Sequence, residues 1–413
     1  MKNLPDGWVV TTLGEVIQPR QSRVIPVATD DRPYVSMEDV EPDSTKLVGR
    51  GRAGDMKSAC MEFAPGDVLY GRLRPYLNKV CRPMFRGLAS AEFITFSDFD
   101  RIQSGFLMYL LNQRAFVEFA SRINEGDRPR VKWGQIRSFE IGLPPLDEQQ
   151  RIVEAIEEQF SRLDAGVESL RKARRDLHRY RASMLRAAFD GLPTAPLGRY
   201  LAEPLRNGKS AKKVVGGRIR VLTLSAVTEG DFSERNTKFV NLDPNQIADL
   251  WAQPGDIFIE RSNTPELVGT AAMFNGDPGF AIFPDLLIRV RLDERIIPRF
   301  AELALQSPPL RRYFQSNAKG ISGSMPKIDQ RAIEEAPMPA VDFTEQRRIV
   351  ADVDRASTII EAVAATVDVG IMRSSTLRQS ILDRAFAGLL TPTTDLSWVD
   401  ATLIGGGGLN ALD

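Results

Sequence analysis

The side chains needed for nucleophilic or metal-assisted catalysis are scarce in this chain. His178 is its one histidine and lies in a charged stretch of a predicted helix, where a solvated surface residue is the ordinary interpretation. Cys60 and Cys81 are its two cysteines, too few for a disulfide framework or a zinc cluster. Ser-His-Asp and Cys-His catalysis and histidine-based metal sites therefore lack the residues that they require.

Two glycine-containing segments resemble phosphate-binding loops at first sight, and neither fits the pattern. Asn207-Gly208-Lys209-Ser210 ends like a phosphate loop, but Glu203 stands where the pattern needs glycine. Gly405–Gly408 has no strand before it, so it is not a dinucleotide-binding turn. The Asn/Asp-Pro-Pro-aromatic signature of amino-methyltransferases and the Pro-Asp…Glu-x-Lys pattern of nucleases do not occur. We therefore predict a non-catalytic chain that binds no cofactor or metal itself, although abundant carboxylates leave a carboxylate–metal nuclease site open.

Composition predicts a globular protein of the reducing cytoplasm. The 413 residues suit two or three domains, and 43% hydrophobic with 26% charged residues is usual for a globular chain. The sequence has no stretch of about 18 uncharged apolar residues to span a membrane, and its first residues lack a signal-peptide core. Two cysteines agree with a cytoplasmic location.

Charge is balanced overall but zoned along the chain. There are 54 basic and 54 acidic residues. Residues 204–220 nevertheless carry six basic side chains and no acidic one, and residues 50–86 carry eight basic against three acidic. Binding of phosphate needs local positive potential and not a positive total. These zones are either ligand surfaces or simply solvated faces.

The elements that would position any site are repeated once along the chain. Glu148–Val153 recurs as Glu345–Val350, and Ala188–Leu192 recurs as Ala385–Leu389, both at a constant offset of 197 residues. Upstream, the Pro-Gly-Asp turn beginning at Pro65 returns at Pro254. The order is therefore domain, helix, domain, helix. The predicted boundaries are 1–146 and 193–341 for two similar domains, 147–192 and 342–390 for two long helices, and 391–413 for a mobile tail.

Each long segment shows the three- and four-residue spacing of a coiled-coil seam. Helical rise predicts a rod of roughly 65 Å for residues 147–189. We expect the two helices to pair with each other as a coiled coil, whereas the simpler alternative packs each helix on its own domain. The two seams consist of Ile152, Ile156, Phe160, Leu163, Val167, Leu170, Leu177 and Met184, and of Ile349, Val353, Ile360, Val367, Ile371 and Ile381.

The two globular halves are predicted to be α+β. Pro-Gly-Asp before an apolar run indicates a turn that leads into a strand, which predicts strands at Asp67–Tyr70 and Asp256–Glu260. One helix is expected in each half, near Gly105–Ile123 and near Ile297–Ser316.

The order of these motifs resembles the DNA specificity subunits of type I restriction-modification systems. The resemblance covers the chain to about residue 390 and depends on Gly7-Trp8 followed by Leu13-Gly14-Glu15, on the Pro-Gly-Asp turns, and on Leu-Pro-Pro-Leu-x-Glu-Gln-Gln-Arg-Ile-Val entering a long helix at Leu143. Met338–Val350 repeats the last motif in a degenerate form.

The resemblance implies two target-recognition domains, with the antiparallel helices as a ruler between two half-sites of double-stranded DNA. It also implies two partner adenine-methyltransferase subunits that bind S-adenosylmethionine. Motor-nuclease subunits that use ATP and Mg would join them for restriction. No membrane contact is expected.

Three pairs of matched loops differ in chemistry between the halves, as the reading of different bases requires. Arginine favours guanine and asparagine favours adenine by bidentate geometry, while lysine beside flexible Gly-Ser backbone suits phosphate. Surface strand ends and simple loop flexibility are the alternatives, and aromatic residues such as Trp133 are more often core. The candidate DNA-binding residues are Arg20, Arg23, Arg72, Arg74, Tyr76, Arg128, Arg130 and Lys132 in the first half, and Arg206, Lys209, Lys212, Arg261, Asn263, Lys319, Ser322, Ser324 and Lys327 in the second.

These differences predict an asymmetric, bipartite target with an unread spacer. The rival hypothesis from another class is a non-catalytic scaffold whose duplicated domains bind proteins on a coiled-coil spacer. A self-sufficient methyltransferase or nuclease with unrecognised motifs is the third. Salt-dependent DNA binding separates the first two, binding of S-adenosylmethionine by the isolated chain supports the third, and removal of the tail should leave DNA binding unchanged.

Overall fold

The computed structural model describes residues 4–123, 126–320 and 325–390, so the predicted tail lies outside the described residues. The chain divides into two compact units. The first contains residues up to Lys172 and residues from Val367 onward, and the second is Ala173–Thr366.

The first unit is mixed α and β. Its elements before the first long helix are β1 (Val9–Thr12), α1 (Leu13–Val16), β2 (Arg23–Val24), β3 (Pro33–Val35), β4 (Gly51–Arg52), β5 (Cys60–Phe63), β6 (Val68–Gly71), β7 (Val80–Cys81), β8 (Gly87–Ala89), β9 (Phe93–Phe96), α2 (Ser104–Asn112), α3 (Arg114–Arg122), α4 (Trp133–Ile136) and β10 (Glu140–Leu143). Its sheets follow the orders β2-β5-β8-β3-β4, β7-β6-β9 and β1-β10.

The second unit is also mixed α and β. The first long helix, α5, is Leu146–Phe189 and the second, α10, is Phe343–Phe386. Between them lie β11 (Thr194–Pro196), β12 (Arg206–Asn207), β13 (Ile219–Leu222), α6 (Leu224–Thr228), β14 (Thr237–Val240), β15 (Ile257–Glu260), β16 (Ala271–Met273), β17 (Leu287–Val290), α7 (Pro298–Gln306), α8 (Pro308–Asn317), α9 (Gln330–Glu334) and β18 (Pro337–Pro339). The sheets of the second unit follow the orders β12-β17-β15-β16, β13-β14 and β11-β18.

The Pro-Gly-Asp turns lead into strands as predicted. Gly66 and Gly255 have φ of 87° and 89°, a left-handed conformation that glycine adopts without steric cost. The carboxylates of Asp67 and Asp256 each accept a backbone N–H three residues earlier, which closes the turn. The buried strands β6 and β15 follow directly.

The predicted single helix of each half is wrong, because each is broken into two. Gln113 separates α2 from α3, and Ser307 separates α7 from α8; both have extended backbone. Ser307 precedes Pro308, and the residue before a proline is disfavoured in the helical region. No proline follows Gln113, so no local sequence signal indicates the first break.

The two long helices are confirmed, and they pack together in opposite directions. In the first unit, Arg378 of α10 pairs with Asp164 of α5 and stacks its guanidinium 4.3 Å from the ring centroid of Phe160. A Cβ placed at Gly370 would lie 3.0 Å from the side chain of Leu170, so the helices approach closely at this glycine. The first part of α5 thus lies beside the last part of α10.

Each globular core contains the beginning of one long helix and the end of the other. Both the pairing of the helices and the alternative, packing on a domain, are therefore partly right. Burial of such apolar side chains contributes about 1.5–3 kcal/mol each. The first core includes Ile152, Ile156, Phe160 and Leu163 of α5 with Leu377, Ile381, Leu382 and Ala385 of α10, and the second includes Leu185 and Phe189 of α5 with Ile349 and Val353 of α10.

Candidate nucleic-acid interface

Two candidate loops of the first unit, far apart in sequence, meet in a short antiparallel ladder. The backbone N–H of Val131 donates to the carbonyl of Arg72 at 3.0 Å, and the N–H of Arg74 donates to the carbonyl of Pro129 at 2.8 Å. Leu73 and Arg130 are bridge partners between these bonds. The segment after β6 and the segment before α4 thus form one surface.

Glu92 connects the arginines of this ladder and was missed by the sequence analysis. Its carboxylate accepts hydrogen bonds from Nε and Nη2 of Arg130 at 2.9–3.1 Å and one from Nε of Arg72 at 3.5 Å. Its backbone carbonyl accepts the N–H of Arg72 at 2.9 Å. The hydrogen bonds from Arg130, together with the charges of both guanidinium groups, lower the pKa of Glu92. The carboxylate is therefore ionised at neutral pH.

The turn after this ladder has an unusual backbone. Arg74 has φ 52° and ψ 66°, a left-handed conformation that non-glycine residues seldom adopt. Its Nε is buried and has no hydrogen-bond partner among the described residues. Tyr76, two residues on, is 51% exposed and remains a candidate for base stacking. Arg74 is therefore not an ordinary strand end.

Trp133, the other aromatic candidate, belongs to the core. Its ring meets Phe96 edge-on with centroids 5.4 Å apart, and its Nε1 donates to Oε1 of Gln18 at 3.2 Å. Next to it, Lys132 is exposed, as is Arg128 at the other end of the loop. These two cations, and not the indole, are available at the surface.

The second unit forms the equivalent ladder with different side chains. The N–H of Ile328 donates to the carbonyl of Arg261 at 2.9 Å, and Ser262 bridges Lys327. Lys327 and Lys319 exchange both backbone hydrogen bonds, at 2.8 and 2.9 Å, so the two lysines are neighbours. Ser322 and Ser324, predicted in the same loop, lie outside the described residues.

Asn263 has both ends of its amide engaged within the protein. Its Nδ2 donates to Oε2 of Glu260 at 2.6 Å, and its Oδ1 accepts the N–H of Thr264 at 2.8 Å. Glu260 is fully buried at the end of β15, also accepts the hydroxyl of Thr228, and has its pKa raised by burial. For Asn263 to make a bidentate contact with adenine, the two hydrogen bonds that its side-chain amide makes within the protein would have to break.

The predicted loop that contains Arg20 and Arg23 is not brought to the ladder in the first unit. Arg20 pairs with Asp67 at 3.5 Å and with Ser97 at 3.3 Å, at the opposite end of the β6–β9 pair from Arg72. Arg23 lies in β2, paired with Met61 of β5. Arg20 and Arg23 therefore lie apart from the ladder that contains Arg72, because a strand pairing separates them.

In the second unit the corresponding loop lies closer to the ladder. The N–H of Lys209 donates to the carbonyl of Phe283 at 2.9 Å, and the N–H of Arg261 donates to the carbonyl of Leu286. Both carbonyls belong to the segment just before β17. Arg206 pairs with Asp249 at 3.4 Å. Lys212 is exposed and has no ion pair within the described ranges.

The described parts of the chain contain no cluster of three or more His, Cys, Asp or Glu that could hold a metal ion. His178 is exposed on α5. None of the helices in those parts is long and apolar enough to cross a bilayer.

Comparison with known proteins shows which proteins this chain is similar to. The family model described as type I restriction modification DNA specificity domain matches residues 85–169, a segment that includes Glu92, Arg128, Arg130 and Lys132. The chain is similar to the DNA specificity subunits of type I restriction-modification systems.

Similar proteins extend the likeness over most of the chain. The EcoKI specificity subunit of Escherichia coli K12 is 24% identical over 94% of this chain and 90% of its own length. The StySPI specificity subunit of Salmonella potsdam is 24% identical over 63% of this chain and 60% of its own, and the EcoDI specificity subunit of Escherichia coli is 30% identical over 33% and 31%.

Solved structures share the fold. A chain from work on complex assembly and conformational transition of the type I R-M system has a TM-score of 0.74 at 21% identity, covering 94% of this chain and 100% of that one. The HsdS subunit from Thermoanaerobacter tengcongensis has a TM-score of 0.51 at 21% identity, covering 94% and 98%.

Proposed function

We propose that this chain reads an asymmetric, bipartite DNA target, with one recognition domain on each half-site and the two long helices as the ruler between them. The recognition domains are those predicted at 1–146 and 193–341. The supporting observation is the pair of equivalent ladders, one at Arg72 and one at Arg261, which present different side chains from the same backbone frame.

The chemistry of the ladders supports two different half-sites. The first presents Arg72 and Arg130, whose guanidinium groups match the O6 and N7 acceptors of guanine. The second presents Arg261 with Lys319 and Lys327. Ammonium groups suit phosphate, and phosphate contacts position a protein on DNA more than they select its sequence. The same backbone geometry with different donors is the arrangement that two unlike half-sites require.

Partner subunits supply the chemistry in this proposal. The sequence lacks the amino-methyltransferase signature, so two adenine-methyltransferase subunits would bind S-adenosylmethionine and modify the target. Motor-nuclease subunits would use ATP and Mg. The chain itself is not an enzyme and binds none of these cofactors.

Exposed apolar side chains on α10 support a protein partner. In the second unit Ile359 is 62% exposed, and in the first unit Met372 is 71% exposed. Val363 and Val369 are exposed as well. Side chains of this type on a long helix are typical of a surface that another subunit covers. We propose that the methyltransferase subunits cover them and that the complex acts in the cytoplasm, where the free buried thiols Cys60 and Cys81 stay reduced.

Mapping modified bases across the genome, with and without this chain, tests the proposal. Adenine methylation at one asymmetric sequence with an unread spacer, present only when the chain is expressed with its methyltransferase, is the expected result. A palindrome, a single continuous site, or methylation that does not depend on the chain would contradict it. The alternative, a protein-binding scaffold, is not favoured by the similarity to specificity subunits. If the chain were such a scaffold, the methylation maps with and without it would be the same.

A further inference from the structure

The loop of residues 261–269 in the second recognition domain begins at a buried acidic group. Glu260 is the last residue of β15 and is fully buried. Its backbone N–H donates to the carbonyl of Thr270, and its carbonyl accepts the N–H of Gly269, both at 2.8 Å. These two bonds close the loop, so the Glu260 carboxylate lies at the point where the loop starts and ends.

Both oxygens of the Glu260 carboxylate are bonded within the protein. Oε1 accepts the hydroxyl of Thr228, the last residue of α6, and Oε2 accepts Nδ2 of Asn263 at 2.6 Å. The Oδ1 of Asn263 accepts the backbone N–H of Thr264 at 2.8 Å. A buried acceptor without a partner is costly, which favours this arrangement over any in which Asn263 turns away. Asn263 thus connects the buried carboxylate to the backbone of the loop.

The residue that this loop presents to the surface is Arg261. Its neighbours Glu260 and Ser262 are 0% and 1% exposed, whereas Arg261 is partly exposed, as the alternation of an extended segment requires. Its N–H donates to the carbonyl of Leu286 at 2.8 Å, and its carbonyl accepts the N–H of Ile328 at 2.9 Å. Its side chain makes no ion pair among the described residues. The backbone of Arg261 is therefore fixed while its guanidinium is available to a ligand.

The first recognition domain has no carboxylate at this point of the fold. Gly71 is the equivalent residue, because it ends β6 and its N–H donates across its own loop to the carbonyl of Lys79 at 2.8 Å. A Cβ placed at Gly71 would lie 2.7 Å from Cε of Met37, so a methionine side chain occupies the adjoining space. The buried carboxylate is thus a property of the second domain and not of the shared backbone plan.

We propose that Glu260 and Asn263 are positioning residues of the second recognition domain: their hydrogen bond holds the loop that presents Arg261 to DNA, and neither side chain contacts a base. A loop that is ordered before binding loses less conformational entropy on the target, and its arginine meets the correct base edge in one geometry. This inference rests on the proposed function, since it names how one of the two domains selects bases.

The test uses the full chain assembled with its methyltransferase subunits. Glu260→Met removes both acceptors at similar side-chain length. Glu260→Gln keeps an acceptor for Asn263, and its amide can donate to the hydroxyl of Thr228. Asn263→Ala removes the connection from the other side. Glu294→Met, at an exposed position of the same unit, is the control for loss of a carboxylate.

Two measurements are made for each variant and for Arg261→Ala. The first is the genome-wide methylation map. The second is the affinity for duplexes that carry the target given by the wild-type map, with each base of the relaxed half-site replaced in turn. Circular dichroism confirms that each variant is folded.

Glu260→Met and Asn263→Ala should become degenerate at the base position that Arg261→Ala relaxes, with discrimination there reduced on the order of tenfold, because a displaced arginine loses its bidentate contact. The other half-site should stay unchanged. Glu260→Gln and Glu294→Met should keep the wild-type map.

Three results would overturn the inference. Degeneracy of Asn263→Ala at a base that Arg261→Ala leaves unchanged would show that Asn263 reads that base itself. A wild-type map in Asn263→Ala would show that its hydrogen bond does not position Arg261. Equal loss in Glu260→Gln and Glu260→Met would show that the hydrogen bond to Asn263 is not the cause.

Asn263→Ala also keeps the inference testable if Glu260→Met does not fold, since Asn263 is partly exposed. Failure of the wild-type complex to methylate any sequence preferentially would instead reject the proposed function, so the two failures are distinguishable.

Discussion

At the scale of the residue, the candidate interface is defined by which polar atoms already have partners within the protein. Asn263 uses both ends of its amide on Glu260 and on the backbone, whereas Arg261 beside it makes no ion pair within the described residues. Arg20 is likewise engaged, with Asp67 and Ser97. The residue types suggest a role in base reading for each of these side chains. A side chain that already has partners within the protein must give up those contacts before it can bind a base.

Arg72→Ala should relax the sequence read at one half-site only. Loss of a base contact by an arginine costs about 1–3 kcal/mol of discrimination. The methylation map of cells expressing the variant complex should therefore become degenerate at one half-site and stay unchanged at the other, and Arg261→Ala should do the reverse. An equal loss at both half-sites for either variant would count against two independent reading modules.

The two thiols should resist modification in the native protein. Cys81 is 1% exposed, and burial raises its pKa to about 12. Burial also raises the pKa of Cys60, which is equally hidden. Since the thiolate is the reactive form, a disulfide reagent at pH 8 should label neither cysteine until denaturant is added. Rapid labelling of Cys81 in the native chain would contradict this burial.

At the scale of the element, each long helix is anchored where it begins by a buried glutamine of the repeated motif. Gln149 is fully buried; its Nε2 donates to the carbonyls of Pro144 and Arg101 at 2.9 and 3.1 Å, and its Oε1 accepts the N–H of Gln103 at 2.8 Å. Gln346 makes the equivalent bonds in the second unit, with its Oε1 accepting the N–H of Ile297 at 2.8 Å. The repeated glutamine thus connects the beginning of each long helix to the residue that precedes the first of the two short helices, α2 or α7, in the same domain.

Gln149→Ala should lower the free energy of unfolding of the first domain by about 1–3 kcal/mol, because it leaves buried backbone groups without partners. Thermal unfolding of the full chain, followed by circular dichroism, measures the effect as a lower melting temperature. Gln150→Ala is the matched control, since its side chain is exposed and, among the residues that the structure describes, donates to Glu154 alone. Equal melting temperatures for both variants would show that the buried hydrogen bonds contribute little.

At the scale of the whole molecule, each long helix contributes side chains from its beginning to the core of one unit and from its end to the core of the other. Leu377 and Ile381, from the end of the chain, lie in the core of the first unit, and Leu185 and Phe189, from the end of α5, lie in the core of the second. Neither half of the sequence therefore contains its whole core.

The exposed apolar residues of α10 should be required for assembly and not for folding. Met372→Glu and Ile359→Glu should each abolish co-purification with the methyltransferase subunits, because a buried unpaired carboxylate is unfavourable in an interface. Thr358→Glu, at an exposed position of the same helix, tests whether any added charge has this effect. Retained co-purification with unchanged circular dichroism for the first two variants would place the partner on another surface.

The sequence by itself determined the repeat, the two long helices and the turns before β6 and β15, because these depend on local periodicity and on glycine's tolerance of positive φ. Tertiary structure decided the rest. Glu92 is separated from Arg72 and Arg130 by 20 and 38 residues, and only strand pairing brings the three together. The same pairing places Arg20 at the far end of β6, away from Arg72. Contacts between distant segments are fixed by register and core packing, and neither leaves a periodic signal in a single chain.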